Sequence, residues 1–384
     1  MEFTVDREKA LDALSQVIGI VPNRATLPIL QHIHVLAEDG FVTFTGTDLV
    51  VLSRVSVSAR IIKSGDVCLD ARILYDSLGL MSHSDVSFVV NEASRIHITS
   101  GSDYIEIDGE SSSKYVFIPQ PDESAPFVLF EAKNQLGSIF NTVSHAVCDD
   151  LARPALTMVN VRFEKGKIRF AATDAYRLAL SDIPLSYPES IDGVEINIPK
   201  SLLEVFGKAL SRCGSARLFL VGRDFSRLDL ITDDGSFVSG RLDGLKYPDF
   251  TGILNHAGSQ ETVINTAQFI RAVKLGAVIS HFHSQNMIWL SIDSSNGPEI
   301  SLKVSSSAAA VGASAAYVRG VKTSRDDIEI AVDSNYVLAA LNACPSDELT
   351  MHLNGMALPA HFRSNDSAIN WHAVVMPVDA RPNM

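Results

Sequence analysis

Cysteine is the first scarcity. The chain has only four in 384 residues, Cys68, Cys148, Cys213 and Cys344, far apart, with no Cys-x-x-Cys pair and no histidine at zinc spacing. That excludes a disulfide scaffold or a structural zinc ribbon and fits reduced, buried thiols in a cytoplasmic protein. Long apolar runs are lacking too: no window reaches the roughly twenty residues of a membrane span. The opening Met1-Glu2-Phe3-Thr4-Val5-Asp6 has neither the basic head nor the apolar stretch of an export signal, so a cytoplasmic location with no membrane partner is expected.

Catalytic signatures are missing as well. There is no Gly-x-Ser-x-Gly, no P-loop and no Gly-x-Gly-x-x-Gly after a strand. His281-Phe282-His283 comes nearest to a metal pair, because alternate residues of a strand share a face. No third ligand stands near it, and a solvated loop or strand edge is the plainer reading. No metal, cofactor or catalytic residue is therefore expected. Positive charge is also short: 32 Lys and Arg against 45 Asp and Glu leave a net charge of −13. An evenly cationic nucleic-acid surface is ruled out, whereas cations gathered on one face of an acidic protein are not.

What is present is repetition. Ala171-Ala172-Thr173-Asp174-Ala175-Tyr176-Arg177-Leu178 joins two strand-like runs, and Thr45-Gly46-Thr47-Asp48-Leu49 repeats its pattern about 126 residues earlier. A second phrase, strand then cap then helix, occurs three times: Val67-Cys68-Leu69-Asp70, Ile196-Asn197-Ile198-Pro199 and Ile330-Ala331-Val332-Asp333. Before each repeat's first helix the order is similar, with Phe3 to Val5 and the cap Asp6 leading into Ala10, Leu11, Leu14, Val17 and Ile18 at helical spacing. Glu38-Asp39-Gly40 reads as a hairpin turn, Leu156 to Phe163 as a strand, and Pro119 to Pro126 as a linker. Ser305 to Ala316, rich in Ser and Ala, reads as a flexible connection. Strands joined by short polar turns with few helical crossovers give antiparallel sheets and an α+β class. Three modules result, at 1–124, 125–257 and 258–384, each with two helices.

Two features could carry function. Asp174 and Arg177 could be an active-site pair, a structural ion pair ending a strand, or the rim of an apolar hollow built with Leu156, Thr173 and Leu178. Lys9, Arg24, Arg72, Lys133, Lys200, Lys208, Arg212, Arg271 and Lys274 fall in or beside the expected helices. Either they are ordinary solvated helix faces, or the helices of all modules pool them on one side for sequence-blind phosphate contact.

The opening residues, Arg24-Ala25-Thr26-Leu27-Pro28-Ile29-Leu30, Gly46-Thr47-Asp48-Leu49, Ala172 to Leu178, Tyr247-Pro248-Asp249-Phe250, Tyr336-Val337-Leu338 and Val375-Met376-Pro377 fall in one family's order. Over essentially its full length the chain resembles the bacterial sliding clamps, the beta subunits of DNA polymerase III. The resemblance implies a head-to-tail homodimer whose six DNA-clamp modules form a ring, helices on the inner face and antiparallel sheets outside. It implies a non-catalytic processivity subunit that encircles double-stranded DNA. Polymerase III alpha subunit, clamp loader, other polymerases and repair proteins would bind it through short linear motifs. By the same resemblance Arg24, Arg72 and Lys200 contact DNA, and Leu156, Thr173, Arg177, Leu178, Pro248, Ile253, Tyr336, Met376, Pro377 and Val378 form the peptide pocket between modules 2 and 3. Ile105 and Ile107 would meet the partner's Val278 and Ile279 at the dimer interface. Two apolar anchors of about 1.5 to 3 kcal/mol each, less the cost of ordering a peptide, imply affinities of roughly micromolar order. This chain departs from the family at Ala175, where glycine is usual, at Tyr176, where histidine is frequent, at Gly252, where a basic residue is common, and in its tail after Pro377. The rivals to this reading are an enzyme using Asp174 and Arg177, and a peptide scaffold that never touches DNA.

Overall fold

The computed structural model describes residues 1–91, 94–131, 136–255, 260–282, 285–293, 301–319, 321–323, 328–365 and 369–378. Lys133, His283 and the tail after Val378 lie outside the described residues.

Six helices are present among them: α1 (Arg7–Ile18), α2 (Ala71–Leu80), α3 (Leu136–Ser144), α4 (Lys200–Leu210), α5 (Thr266–Ser280) and α6 (Ser334–Ala343). Four begin on a side chain that accepts from the first turn's orphan N–H groups. Asp6 takes Lys9 N, Asp70 takes Arg72 N and Ile73 N, Asn265 takes Gln268 N, and Asp333 takes Asn335 N. The cap residue closes a strand in each case, which is why the strand–cap–helix phrase was visible in the sequence.

Strand pairing is antiparallel throughout the described residues, and the chain divides into two compact units, Met1–Gly137 with Ser201–Asp243, and Ser138–Lys200 with Gly244–Met384. In the first, a twelve-stranded sheet runs from edge strand Asp103–Asp108 through Glu2–Asp6 and Val51–Lys63 to edge strand Phe127–Glu131. Phe3, Phe44, Phe88, Leu14 and Leu74 form its core beneath α1 and α2. The second holds a nine-stranded sheet and a four-stranded sheet, with Trp371, Phe362 and Phe269 central to its core.

Pairing joins the end of one sequence repeat to a strand near the middle of the repeat before it. Phe237–Arg241 pairs with Val51–Lys63 in the first unit, and Arg177–Pro184 pairs with Asn370–Val375 in the second. Each compact unit therefore contains one such seam, and residues of the middle repeat contribute to both.

Three expectations change. Ser305 to Ala316 is an ordered hairpin, with Ser301–Ala308 paired to Gly312–Arg319 and Ser305 opposite Ala315. Its inward residues Leu302, Val304, Ala316 and Val318 are buried, so tertiary packing supplies the strand signal that Ser and Ala do not. Leu156 does not begin a strand. It lies in the 3-10 turn Pro154–Thr157, where proline's fixed φ and missing N–H suit a turn, and the strand starts at Met158. His281 caps the C-terminus of α5 in helical geometry and is not in a strand.

Candidate binding site

The turn Thr173–Arg177 is built by its own side chains. Thr173 Oγ1 donates to Arg177 O at 2.6 Å and accepts from Ala175 N at 3.1 Å. Asp174 Oδ1 accepts from Tyr176 N at 2.9 Å and Arg177 N at 3.0 Å, and Asp174 Oδ2 accepts from Arg177 Nε at 2.9 Å. The chain can only close this way if residue 175 is left-handed, and Ala175 has φ 80. Thr47 to Val51 reproduces the arrangement: Thr47 Oγ1 donates to Val51 O, Asp48 Oδ1 accepts from Val50 N and Val51 N, and Leu49 has φ 77. The repeat seen in the sequence is thus a repeat of hydrogen bonding. The first copy has no Asp–Arg pair, so that ion pair is an addition to a turn that closes without it.

Long-range pairing then brings the C-terminal strand to this turn. Arg177 lies opposite Val375, Met376 N donates to Tyr176 O at 2.9 Å, and Val378 N donates to Ala331 O at 2.8 Å. Met376, Pro377 and Val378 are laid between the turn and the strand that leads into α6. Their placement leaves an open cavity of about 300 Å³, lined by Tyr176, Gln285, Asp333, Tyr336, Met376, Pro377 and Val378. This is the lower end of the volumes that hold small ligands. The Arg177 guanidinium stacks on the Tyr336 ring, 4.5 Å from its centroid, which fixes that ring as a wall.

Beside the cavity is a small apolar cluster of Ala171, Leu178, Leu180, Tyr247, Phe250 and Val374, with Leu156 and Leu254 partly buried against it. The buried Tyr247 hydroxyl accepts from Thr173 N at 3.0 Å, tying the loop after Gly244 to the turn. Around this cluster Tyr176, Ile253, Pro248 and Met376 are exposed. Of the expected pocket residues, Tyr336, Met376, Pro377 and Val378 line the cavity. Leu156 and Leu178 belong to the adjoining cluster, Thr173 and Arg177 shape the turn, and Pro248 and Ile253 lie on the exposed loop over that cluster. Leu178 is only 2% exposed and acts as floor.

Tyr176, Gln285 and Asp333 were not expected as lining residues. Tyr176 is one of this chain's departures from the family, and Asp333 ends the third strand–cap–helix phrase, three residues before Tyr336. That spacing puts both on the first turn of α6 and could have found it. Nothing local marks Gln285.

Electrostatics single out two further groups. Burial pulls the His145 imidazole down to about 4, and the nearby positive charge of Arg177 adds to this. Its ring nitrogens are sealed from solvent without a well-formed hydrogen bond, although the Thr142 carbonyl approaches them. Arg153 links the turn to the preceding loop, donating to Asp174 O at 3.0 Å and to Asp150 Oδ2 at 3.2 Å.

Arg24 and Arg72 are exposed in the first unit, beside α1 and in the first turn of α2. Lys200 opens α4 and is only half-buried, with its Nζ 3.6 Å from Asp149 Oδ1. Lys208 and Arg212 are exposed at the end of α4, where Arg212 pairs with Asp12 of α1. Ile105 sits in edge strand Asp103–Asp108, and Ile107 on that strand is buried in the core of its unit. Val278 is 60% exposed on α5, with Ile279 beside it half-buried. Among the described residues no group of three or more His, Cys, Asp or Glu is placed to hold a metal ion, and no helix is long and apolar enough to cross a membrane.

Repeated antiparallel modules with capped helices and a small open cavity at the C-terminal strand are the architecture of a clamp-type protein. Models of the DNA polymerase III beta subunit match residues 1–119 as its N-terminal domain and 132–249 as its central domain, together more than half of the chain. The beta sliding clamp of Bacillus subtilis (strain 168) is 25% identical over 382 residues, covering 96% of this chain and 97% of that protein. Among solved structures, the Bacillus subtilis DNA polymerase sliding clamp aligns with a TM-score of 0.90 at 23% identity, over 99% of this chain and 100% of that one. The Pseudomonas aeruginosa clamp, solved bound to griselimycin, aligns with a TM-score of 0.88 at 22% identity, over 98% of this chain and 99% of that one. The chain belongs to the DNA polymerase III beta subunit family, the beta sliding clamps, which are processivity factors and not enzymes.

Proposed function

We propose that this clamp works as a cytoplasmic head-to-tail homodimer, with modules 1–124, 125–257 and 258–384 of each chain making a six-module ring around double-stranded DNA. Arg24 and Arg72 supply salt-sensitive attraction to the phosphates, and Lys200 supplies less because Asp149 stands beside it. The ring closes through the edge strand carrying Ile105 and Ile107 and the partner's α5 surface carrying Val278 and Ile279. An unpaired strand edge supports this, since such edges invite pairing with another chain.

The peptide site on this reading is the hollow around Tyr336, Met376, Pro377 and Val378, with Arg177 and Thr173 shaping its wall. Leu156 and Leu178 underlie the adjoining surface, which Pro248 and Ile253 border. Polymerases, clamp loader and repair proteins dock there through short apolar motifs. The observation that carries this reading is the long-range placement of Met376 to Val378 against Tyr176 and Ala331, which creates an apolar, aromatic-walled cavity.

Retention on closed circular DNA after clamp loading, with release on linearisation, is the expected result. Equal retention on both forms would refute encirclement. Turnover of a small substrate lost in Asp174→Asn would instead establish the enzyme reading.

A further inference from the structure

Among the described residues lining the cavity, Tyr176, Gln285, Tyr336, Met376, Pro377 and Val378 carry no charge at neutral pH, and Asp333 is the one carboxylate. The groups that hydrogen-bond to it are neutral donors: Asn335 N at 2.7 Å, Tyr336 N and the Asn286 side chain. Arg177 is close enough to act on it, but its Nε is held by Asp174 Oδ2 and its face lies on Tyr336. Among the described residues Asp333 makes no ion pair. An ionised carboxylate has about four acceptor positions, so three neutral donors leave room for one more. Burial raises the pKa of the Asp333 carboxyl above the usual carboxylate value. A cation entering the cavity would therefore relieve an existing cost of holding the charge there.

We propose that Asp333 sets the charge preference of the cavity, so that the peptides it takes carry a Lys or Arg next to the apolar side chain seated among Tyr336, Met376 and Pro377. The inference rests on the cavity being the peptide site. It assigns to that site a selectivity that apolar packing cannot supply, because Met376, Pro377 and Val378 do not distinguish one charge from another. A charged donor on a carboxylate forms the stronger class of hydrogen bond, and its planar or pointed head reaches Asp333 while its stem lies along the aromatic wall.

The test uses the full chain and a set of short peptides with two leucine anchors and one Lys, Gln or Glu placed at each neighbouring position in turn. Binding is read by fluorescence anisotropy at two salt concentrations, for the native protein, Asp333→Asn and Met376→Ala. Asparagine keeps a side-chain oxygen able to cap α6, so the variant retains its fold, checked by its thermal midpoint. At one position the Lys peptide is expected to bind native protein about tenfold more tightly than the Gln peptide, and Glu more weakly still. In Asp333→Asn the three should fall within about twofold of one another, and the salt dependence of the Lys peptide should shrink. If all peptides bind native protein equally and Met376→Ala weakens them all, the pocket stands and the role of Asp333 is refuted. If no peptide binds, or Met376→Ala changes nothing, the pocket reading fails and the role of Asp333 with it.

Discussion

Replacing Ala175 with glycine should stabilise the second unit. Ala175 holds φ 80 because Thr173 Oγ1 and Asp174 Oδ1 together bind the N–H groups of residues 175, 176 and 177. A left-handed alanine costs about 1 to 2 kcal/mol through contact of its Cβ with backbone. Glycine removes that contact but gives the unfolded chain more freedom, which costs about 0.4 to 1 kcal/mol. At the middle of both ranges the difference favours Ala175→Gly by about 0.8 kcal/mol, and in a unit of this size that raises the midpoint by roughly 2 to 3 °C. The residue is exposed, so no packing is lost with the methyl group. Differential scanning calorimetry of the native and substituted proteins, with Ala146→Gly as a buried control outside the turn, reads the effect. The control should lose stability. A fall of 1 °C or more in Ala175→Gly would mean that the turn does not impose the left-handed geometry, and the account of how it is built would be wrong.

Other outcomes follow from the same structure. Below pH 6.5 the unfolded chain protonates His145, whereas the folded chain resists until about pH 4. Stability from this residue is complete above pH 6.5 and declines through that window by about 3 kcal/mol in all. Urea titrations at pH 7 and pH 5 should show His145→Gln losing less on acidification than the native protein, and parallel losses would refute the assignment. Met376→Ala should weaken peptide binding severalfold with the thermal midpoint nearly unchanged, because Met376 is exposed; anisotropy against one apolar peptide checks this. Arg24→Ala and Arg72→Ala should each lower DNA affinity and reduce the slope of its salt dependence by about one, while Lys200→Ala does less because of Asp149. An unchanged slope for both arginines would remove them from the DNA surface.

Local chemistry made much of this fold legible. Asp6, Asp70 and Asp333 announce helix starts because a carboxylate after a strand can take the first free N–H groups. Thr47-Asp48 and Thr173-Asp174 announce equivalent turns because the side chains themselves make the bonds. The misreadings occurred where distant partners decide. Ser305 to Ala316 has no β-branched run, and its strands exist because Leu302 and Val304 are buried opposite Met287–Asp293. The cavity depends on Met376 reaching Tyr176 across 200 positions, and on Val378 reaching Ala331. No spacing rule places Gln285 in its lining.

The two seams show how one module can be open in one copy and closed in another. In the second unit the turn residue Arg177 lies opposite Val375, and the first turn of α6 presents Tyr336, held upright by the guanidinium. In the first unit the matching turn residue Val51 lies opposite Gly240, and α4 presents Leu202 at the position that Tyr336 holds in α6. Leu202 is fully buried, and a Cβ on residue 240 would come within 2.2 Å of its Cδ2. Glycine there admits a leucine into the space, while residue 375 is a buried valine and Tyr336 is only partly buried. Gly240→Val should therefore drive Leu202 out and destabilise the first unit by about 1 to 3 kcal/mol, as overpacking does. The double substitution Gly240→Val with Leu202→Ala should recover much of that loss, measured by urea unfolding. Equal stability of the single and double variants would mean that Leu202 is not what fills the first seam, and that the difference between the two lies elsewhere.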